Sequence, residues 1–335
     1  MKMKKIRISL QDVVPFAAFI IIFSFFAITS KGSVLSAFNL SILLDQSVMT
    51  IIVGCGALFV VAQGSIDLSV GVNLAFTSVV ATWAANAAGD WLLIPVALIV
   101  GTLVGAFTGT VVSRFKVPSF MVTIAMLIGM RGIVNYIQSF ISTQAIPESM
   151  MILSEPYVKY PAFLLIIIVL AYVFEFTKVG KYCKAIGENE TTARFVGVPV
   201  TFMKIVAFAI CGLTVGLGSL FSLSSNGGTS QQIGLFFEMK VAMAIFFGGV
   251  LVTGGTSAKL YKVLLGSFSI TIIVNGLNHI GLSQTQYSQS IQGILLLLIL
   301  GVTILASKKS RKSAQLPDEA EAIDEQAEEK TAHLK

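Results

Sequence analysis

Apolar runs, broken only by short polar or glycine-rich stretches, fill the chain from Val13 to Ala306 and set the main constraint on its fold. A helix needs about 20 apolar residues to cross a bilayer, with a usual range of roughly 17 to 25. Charged residues are 12% of the 335-residue chain and hydrophobic ones 55%. A soluble domain carries about 25% charged residues, so this chain has too few to cover a water-facing surface. The sequence reads as an all-α, polytopic integral membrane protein. The net charge of +6 does not point to nucleic acid, because the basic residues are scattered between apolar runs and form no aromatic-laced patch.

About ten spans are expected, at 13–29, 48–62, 68–85, 91–112, 117–133, 160–177, 205–223, 239–253, 263–277 and 291–306. Lys2, Lys4, Lys5, Arg7, Arg114, Lys116, Lys178, Lys181, Lys184, Arg194, Lys204, Lys259, Lys262 and the cluster at 308–312 then share one side. Lys31, Lys159, Lys240 and Arg131 fall on the other. Excess positive charge marks the cytoplasmic side, so both termini are expected there. Met1–Ser30 has the basic start and apolar run of a signal peptide but no small-x-small cleavage site, and is read as an uncleaved first span. Residues 1–307 form one transmembrane domain in this reading. Residues 308–335 form a charged cytoplasmic tail, acidic from Asp318 to Glu329 and expected to be solvated and disordered or weakly helical.

Lys178–Lys204 is the longest polar interruption in the middle of the chain. Its centre reads as one short helix. Asn189 is a good N-cap, Glu190 sits in the first turn and Arg194 in the last, as the helix dipole prefers. Gly197 can take the left-handed position that follows, and Pro199 stops continuation. A capped helix between two spans is a rigid knob on the cytoplasmic face that a soluble partner can hold.

Chemistry-bearing patterns are few. No G-x-x-x-x-G-K-[ST] phosphate loop occurs, and the nearest stretch, Gly249 to Thr256, lacks the lysine. Cys55, Cys183 and Cys211 have no metal-type spacing, and His279 and His333 give no catalytic pair. No metal site, catalytic residue or resident cofactor is expected. Ionisable residues inside the spans are unpaired at helical spacing, which argues against an ion relay and for an external energy source. Gln63–Gly71 supports two readings. Asp67, with Ser65, caps a helix starting at Leu68; or the stretch is a broken helix whose backbone lines a path, with Asp67, Ser69 and Asn73 beside it. Asn73, Asn275 and Asn278 suit bonds between helices or contact with a polar solute. Arg131 and Glu175, near span ends, are read as snorkelling. Gly101, Gly105 and Gly109 mark close helix approach.

Four stretches, in order along the chain, resemble the membrane permeases of ribose-type ABC importers, in the branched-chain amino acid/ribose permease family. These are QGSIDLSVG at 63–71; Pro118-Ser119-Phe120 with Thr123, Arg131 and Gly132; Gly180, Tyr182, Ala185-Ile186-Gly187, Asn189, Ala193-Arg194 and Gly197; and Asn275-Gly276-Leu277-Asn278 with Gly281. The chain departs from the family pattern at 248–255, at Phe237-Glu238-Met239-Lys240, where a base replaces an acid, and at His279. The resemblance implies a permease subunit in the bacterial plasma membrane that translocates a monosaccharide or a sugar-like signal. A separate ATP-binding cassette subunit, which binds ATP and Mg, would grip the loop through Ala185, Ile186, Gly187, Asn189, Glu190, Arg194 and Gly197. A second permease subunit (an identical copy or a paralogue) and an extracytoplasmic sugar-binding protein would complete the importer. Nucleosides and branched-chain amino acids are the alternative solutes, and an ion-coupled secondary transporter is the alternative class.

Overall fold

The computed structural model describes residues 10–140, 144–279, 290–291, 293–298 and 301, with side chains from Pro15 onward. The described helices are α1 (Leu10–Thr29), α2 (Ala37–Ala62), α3 (Val70–Ala88), α4 (Leu93–Arg114), α5 (Ser119–Phe140) and α6 (Pro156–Phe176). They continue as α7 (Lys178–Glu188), α8 (Glu190–Phe195), α9 (Val200–Asn226), α10 (Phe237–Phe247) and α11 (Leu260–His279). The described parts of 290–301 are also helical. The all-helical class agrees with the sequence reading. Among the described residues, seven helices, α2 to α6, α9 and α11, are long and apolar enough to cross a membrane.

Several boundaries differ from the expected spans. α2 begins at Ala37, not near Val48, because the Ser36 side chain caps it by accepting from Asn39 N at 3.2 Å. α5 runs on to Phe140 and α6 starts at Pro156, so Lys159 sits in a helix and not in a loop. The expected span at 239–253 is half helix: α10 has 11 residues, which is about 16 Å at ~1.5 Å per residue, against a hydrocarbon layer of ~30 Å. Its second half is irregular because Gly249, Gly254 and Gly255 take positive φ. Half of the expected last span, 291–306, and all of the acidic tail lie outside the described residues.

α2, α3, α9 and α11 are the most buried of the long helices, and α4 packs along α9. α4 and α9 run antiparallel with their backbones almost touching. A Cβ on Gly101 would overlap the carbonyl oxygen of Gly212, and one on Gly105 that of Phe208. Gly109 lies against Ile205 and Phe208 in the same way, so the glycine spacing read from the sequence does mark a close helix seam. Gly56 admits the Thr214 side chain between α2 and α9, and Gly266 admits the Ala244 carbonyl between α11 and α10. α5 and α6 are peripheral. Only 22% and 17% of their apolar windows are buried, against 78% for α2, so most of their apolar surface faces outward.

The α4–α9 seam yields a direct test. Gly105→Ala should lower the thermal midpoint of the purified protein, because overpacking a tight contact costs about 1–3 kcal/mol. Gly129→Ala has nothing within 4 Å of the new methyl group and should be neutral or slightly stabilising, since a helical glycine gives up roughly 0.5–1 kcal/mol relative to alanine. Equal midpoints for the two variants would mean the seam is looser than described.

Candidate functional site: interrupted segments on a two-helix knob

α2 ends because Gln63 and Gly64 turn the chain, with Gly64 at φ 72°. Residues 65–69 then have no regular structure. Gln63 donates from Nε2 to the Met203 carbonyl at 2.9 Å and to Cys183 Sγ at 3.0 Å. Asp67 lies against the Cys211 thiol, roughly 12 Å further along α9 at ~1.5 Å per residue. The segment therefore climbs back into the bundle before α3 starts. Its backbone is held by the start of α5: Ile66 N donates to Ser119 Oγ at 3.1 Å, and Thr123 Oγ1 donates to the Ile66 carbonyl at 3.5 Å. Asp67 does not cap a helix at Leu68. Its Oδ1 accepts from Ser69 N at 2.8 Å and Ser69 Oγ at 2.6 Å, an Asx turn that leads into α3 at Val70.

The chain after α9 is interrupted in the same way. By Gly234 it lies so close to Gly71 of α3 that neither glycine has room for a Cβ. Arg131 Nη1 donates to the Ile233 carbonyl at 3.2 Å and Gln138 Nε2 to the Ser230 carbonyl at 3.2 Å. Arg131 is thus not a snorkelling residue. A carbonyl that leaves regular structure needs a donor, and Arg131 supplies it. Glu238, 5% exposed, lies beside Gly71 and across from Arg131.

The third interruption follows α10. Lys262 Nζ donates to the Gly249 carbonyl at 3.2 Å, and Leu251 N donates to Ser257 Oγ at 3.0 Å. Lys262 is buried inside α11 and belongs to no surface basic loop. Gly254 rests on the carbonyls of Val61 and Ala62.

The polar loop forms two helices where one was expected. Thr177 caps α7 by accepting from Val179 N at 3.2 Å. Lys184 pairs with Glu175 at 2.6 Å, so Glu175 is a tether between α6 and α7. Asn189 caps α8 as expected, accepting from Thr192 N at 2.9 Å, and Gly197 takes φ 84°. Glu190 pairs with Arg194 at 3.1 Å and Lys204 at 2.7 Å. Burial works against the Glu190 carboxylate, but Lys204 and Arg194 outweigh it and hold the group below the usual carboxylate range. Ile186 and Ala193 pack on Val198, Val200 and Met203, with Ala185 at the edge.

The root of the knob touches two of the interruptions. Gly187 packs on the Ala62 carbonyl and on Gly255 N. Glu188 Oε1 accepts from Thr256 N and Thr256 Oγ1, each at 2.6 Å. A recess of about 530 Å³ opens between Gln63–Ile66, Pro118–Phe120 and the Glu190, Arg194 and Lys204 group. The structure therefore brings the 63–69 segment and the 185–197 residues together. Asn73 lies deeper, donating to the Gly101 carbonyl at 3.2 Å and accepting from Thr77 at 3.1 Å. Asn275 is buried with its Oδ1 unpartnered among the described residues, and Asn278 is exposed at the far end of α11. Glu188 and Gln63 were missed as linking residues. Gln63 lay inside a motif already singled out, whereas nothing local marks Glu188. No group of three or more His, Cys, Asp or Glu able to hold a metal occurs among the described residues.

Cys183 is buried, and that burial pushes its thiol up to about 11. Gly187→Ala should force α7 off Ala62 and raise the rate of maleimide labelling at Cys183 by about tenfold or more, since the thiolate reacts only when exposed. Unchanged labelling would mean that α7 does not depend on that contact. For Glu190, the folded value lies below the ordinary 4.5. Its pairs therefore add stability that is fully present above about pH 4.5 and lost as pH falls through the lower folded value. Glu190→Gln should flatten this acid limb of the thermal midpoint, modestly, because the pairs are part-exposed.

The sequence pattern of the family described as branched-chain amino acid transport system / permease component matches residues 39–300. The chain is similar to the ribose import permease protein of Escherichia coli K12, 28% identical over 270 residues, 78% of this chain and 84% of the relative. It is similar to the xylose transport system permease protein of the same strain, 28% identical over 372 residues, 90% of this chain and 94% of the relative. The D-allose transport system permease protein of that strain is 27% identical over 295 residues, 86% and 90% of the two chains. The family spans most of this chain, which therefore belongs to the branched-chain amino acid transport system / permease component family and is a multi-pass bacterial membrane permease of an ATP-binding cassette transporter, not an enzyme.

Proposed function

We propose that this permease imports a monosaccharide across the plasma membrane as one of two permease subunits, fed by an extracytoplasmic binding protein and driven through α7 and α8 by a separate ATPase. The observation that carries the reading is the character of the knob. Its root is seated on the ends of two interrupted segments, while its tip presents Phe195 at 87% and Val196 at 74% exposure. Exposed apolar residues on a charged, capped helix suit a protein partner better than water or lipid.

In this reading residues 1–307 are the transmembrane domain, crossing about ten times with both termini and the 178–204 knob in the cytoplasm, and 308–335 are a charged tail. Asn189 and Gly197 set the ends of α8, Glu190 and Arg194 brace it, and Ala185, Ile186 and Gly187 carry its displacement inward. When ATP closes the ATPase pair, the knob moves with it, and Gly187 transmits the shift to the end of α2 and to the 254–256 segment. Asp67, Ser69, Asn73, Asn275 and Asn278 belong to the path side, offering weak polar contacts that do not hinder release. The sugar reading is supported by relatives that carry ribose, xylose and allose names. A branched-chain amino acid is the second reading, because the family description itself names it.

Purification from the native membrane in mild detergent, with mass spectrometry of bound chains, tests this. A stoichiometric ATPase is expected with the unmodified permease. Phe195→Asp with Val196→Asp should reduce it by about tenfold or more, since buried aromatic anchors contribute ≥ 2 kcal/mol to interfaces, while leaving the permease in the membrane. A solitary protein that takes up solute into ATP-free vesicles on an ion gradient would overturn the proposal.

A further inference from the structure

At the end of the bundle away from α7 and α8, a recess of about 310 Å³ opens between α2, α6, α9 and α10. That places it at the small end of the ~300–1,000 Å³ usual for small-molecule sites, room for one sugar ring. Its polar groups come from different helices. Lys159 of α6, 6% exposed, pairs with Asp45 of α2 at 2.8 Å, and Tyr160 donates its hydroxyl to the same Asp45 oxygen, Oδ1, at 3.1 Å. The Asp45 charge is therefore matched, while Oδ2 has no protein partner among the described residues. Asn226 of α9 donates its Nδ2 to the Ser222 carbonyl at 2.7 Å and to Ser222 Oγ at 3.3 Å, and its side-chain oxygen has no hydrogen bond among the described residues. Phe221 provides an apolar wall.

The remaining charged lining residue is Lys240 of α10. It is half-buried, and its ammonium has no hydrogen bond or ion pair among the described residues. With Asp45 already neutralised by Lys159, the recess carries one unmatched positive charge. A cation withdrawn from water without a partner is costly, and an anion that enters recovers that cost. A neutral sugar would use the acceptors on Asp45 and Asn226 but leave the ammonium unmatched.

We propose that this recess is a solute subsite for an anionic monosaccharide, with Lys240 holding its carboxylate or phosphate and Asp45 and Asn226 accepting its hydroxyls. The proposal rests on the importer reading above and narrows its solute class.

The test uses the permease purified with its bound ATPase in lipid nanodiscs, with D-glucuronate, glucose 6-phosphate and D-glucose as probes. Binding is read from the concentration dependence of the thermal midpoint. At least one anion should bind about tenfold or more tightly than glucose, a difference of ~1.4 kcal/mol. Which anion wins distinguishes carboxylate from phosphate. Lys240→Gln should erase the preference and Lys240→Arg keep it. In the unmodified protein the winning anion should also protect Lys240 from an acylating reagent, a readout that needs no variant. Glucose binding as well as both anions, no binding by any probe with Lys240 unprotected, or a preference retained in Lys240→Gln would each overturn the proposal. ATPase retained in the same preparation would then leave the importer reading standing.

Discussion

A peptide group that leaves a helix inside an apolar bundle needs a hydrogen-bond partner, because neither lipid nor packed hydrocarbon supplies one. This chain leaves its helices at 63–69, 227–236 and 248–259, and each break is supported by side chains from elsewhere. α5 supplies many of them. Ser119 and Thr123 hold Ile66, Arg131 holds Ile233 and Gln138 holds Ser230. At about 100° per residue these positions fall on one side of the helix. α5 therefore carries a polar stripe toward the breaks, while apolar residues such as Phe120, Met121 and Ile128 remain exposed. A helix read from hydropathy as one more span acts as a rack of donors and acceptors for its neighbours.

The second constraint is closeness of backbones. Side-chain contacts yield by changing rotamer, whereas a helix seated on another backbone cannot shift without moving its partner. Along α4 and α9 the seam of Gly101, Gly105, Gly109 and Gly212 makes one stiff block. The same kind of contact recurs where Gly187 meets Ala62 and Gly255, where Gly234 meets Gly71 and where Gly254 meets Val61. The interruptions are thus tied to helix ends by contacts with little give.

The sequence disclosed what depends on average polarity and local signals. Scarcity of charge was enough for the helical membrane class. The Asn189 cap and the Gly197 turn were legible because capping is local. The glycine spacing in α4 was legible because only close approach requires it. The breaks were not, because a hydropathy window counts apolar content and is blind to conformation: 239–253 is mostly apolar, with Lys240 its one charge, yet only its α10 part is helical. Arg131 looked like a span-end charge because its partner, the Ile233 carbonyl, is 102 positions away. α7 was readable in part. Val179, Cys183 and Ile186 recur at helical spacing, and the last two are buried, but the lysines between them masked the stripe.

Magnitudes decide which contact would carry motion from the knob inward in the proposed importer. The Glu190–Arg194 pair is more than half exposed on the arginine side and such pairs contribute about 0–1 kcal/mol, so it shapes α8 without anchoring it. The Glu188–Thr256 bonds are short and charge-assisted but open to solvent, which weakens them in the same way. The buried seam at Gly187 differs in kind. Ile186 and Cys183 are withdrawn from water beside it, and Gln63 is bonded to both Cys183 and Met203 there. Lifting α7 would expose those apolar groups and strand the Gln63 amide together, a cost of several kcal/mol when each buried side chain is worth about 1.5–3 kcal/mol and each lost polar partner about 1–3 kcal/mol. In the proposed importer, a pull on α8 would therefore move the end of α2 with α7 before separating them. Because the 63–69 segment begins at that end, its irregular backbone would be the first part of the interior displaced under that proposal.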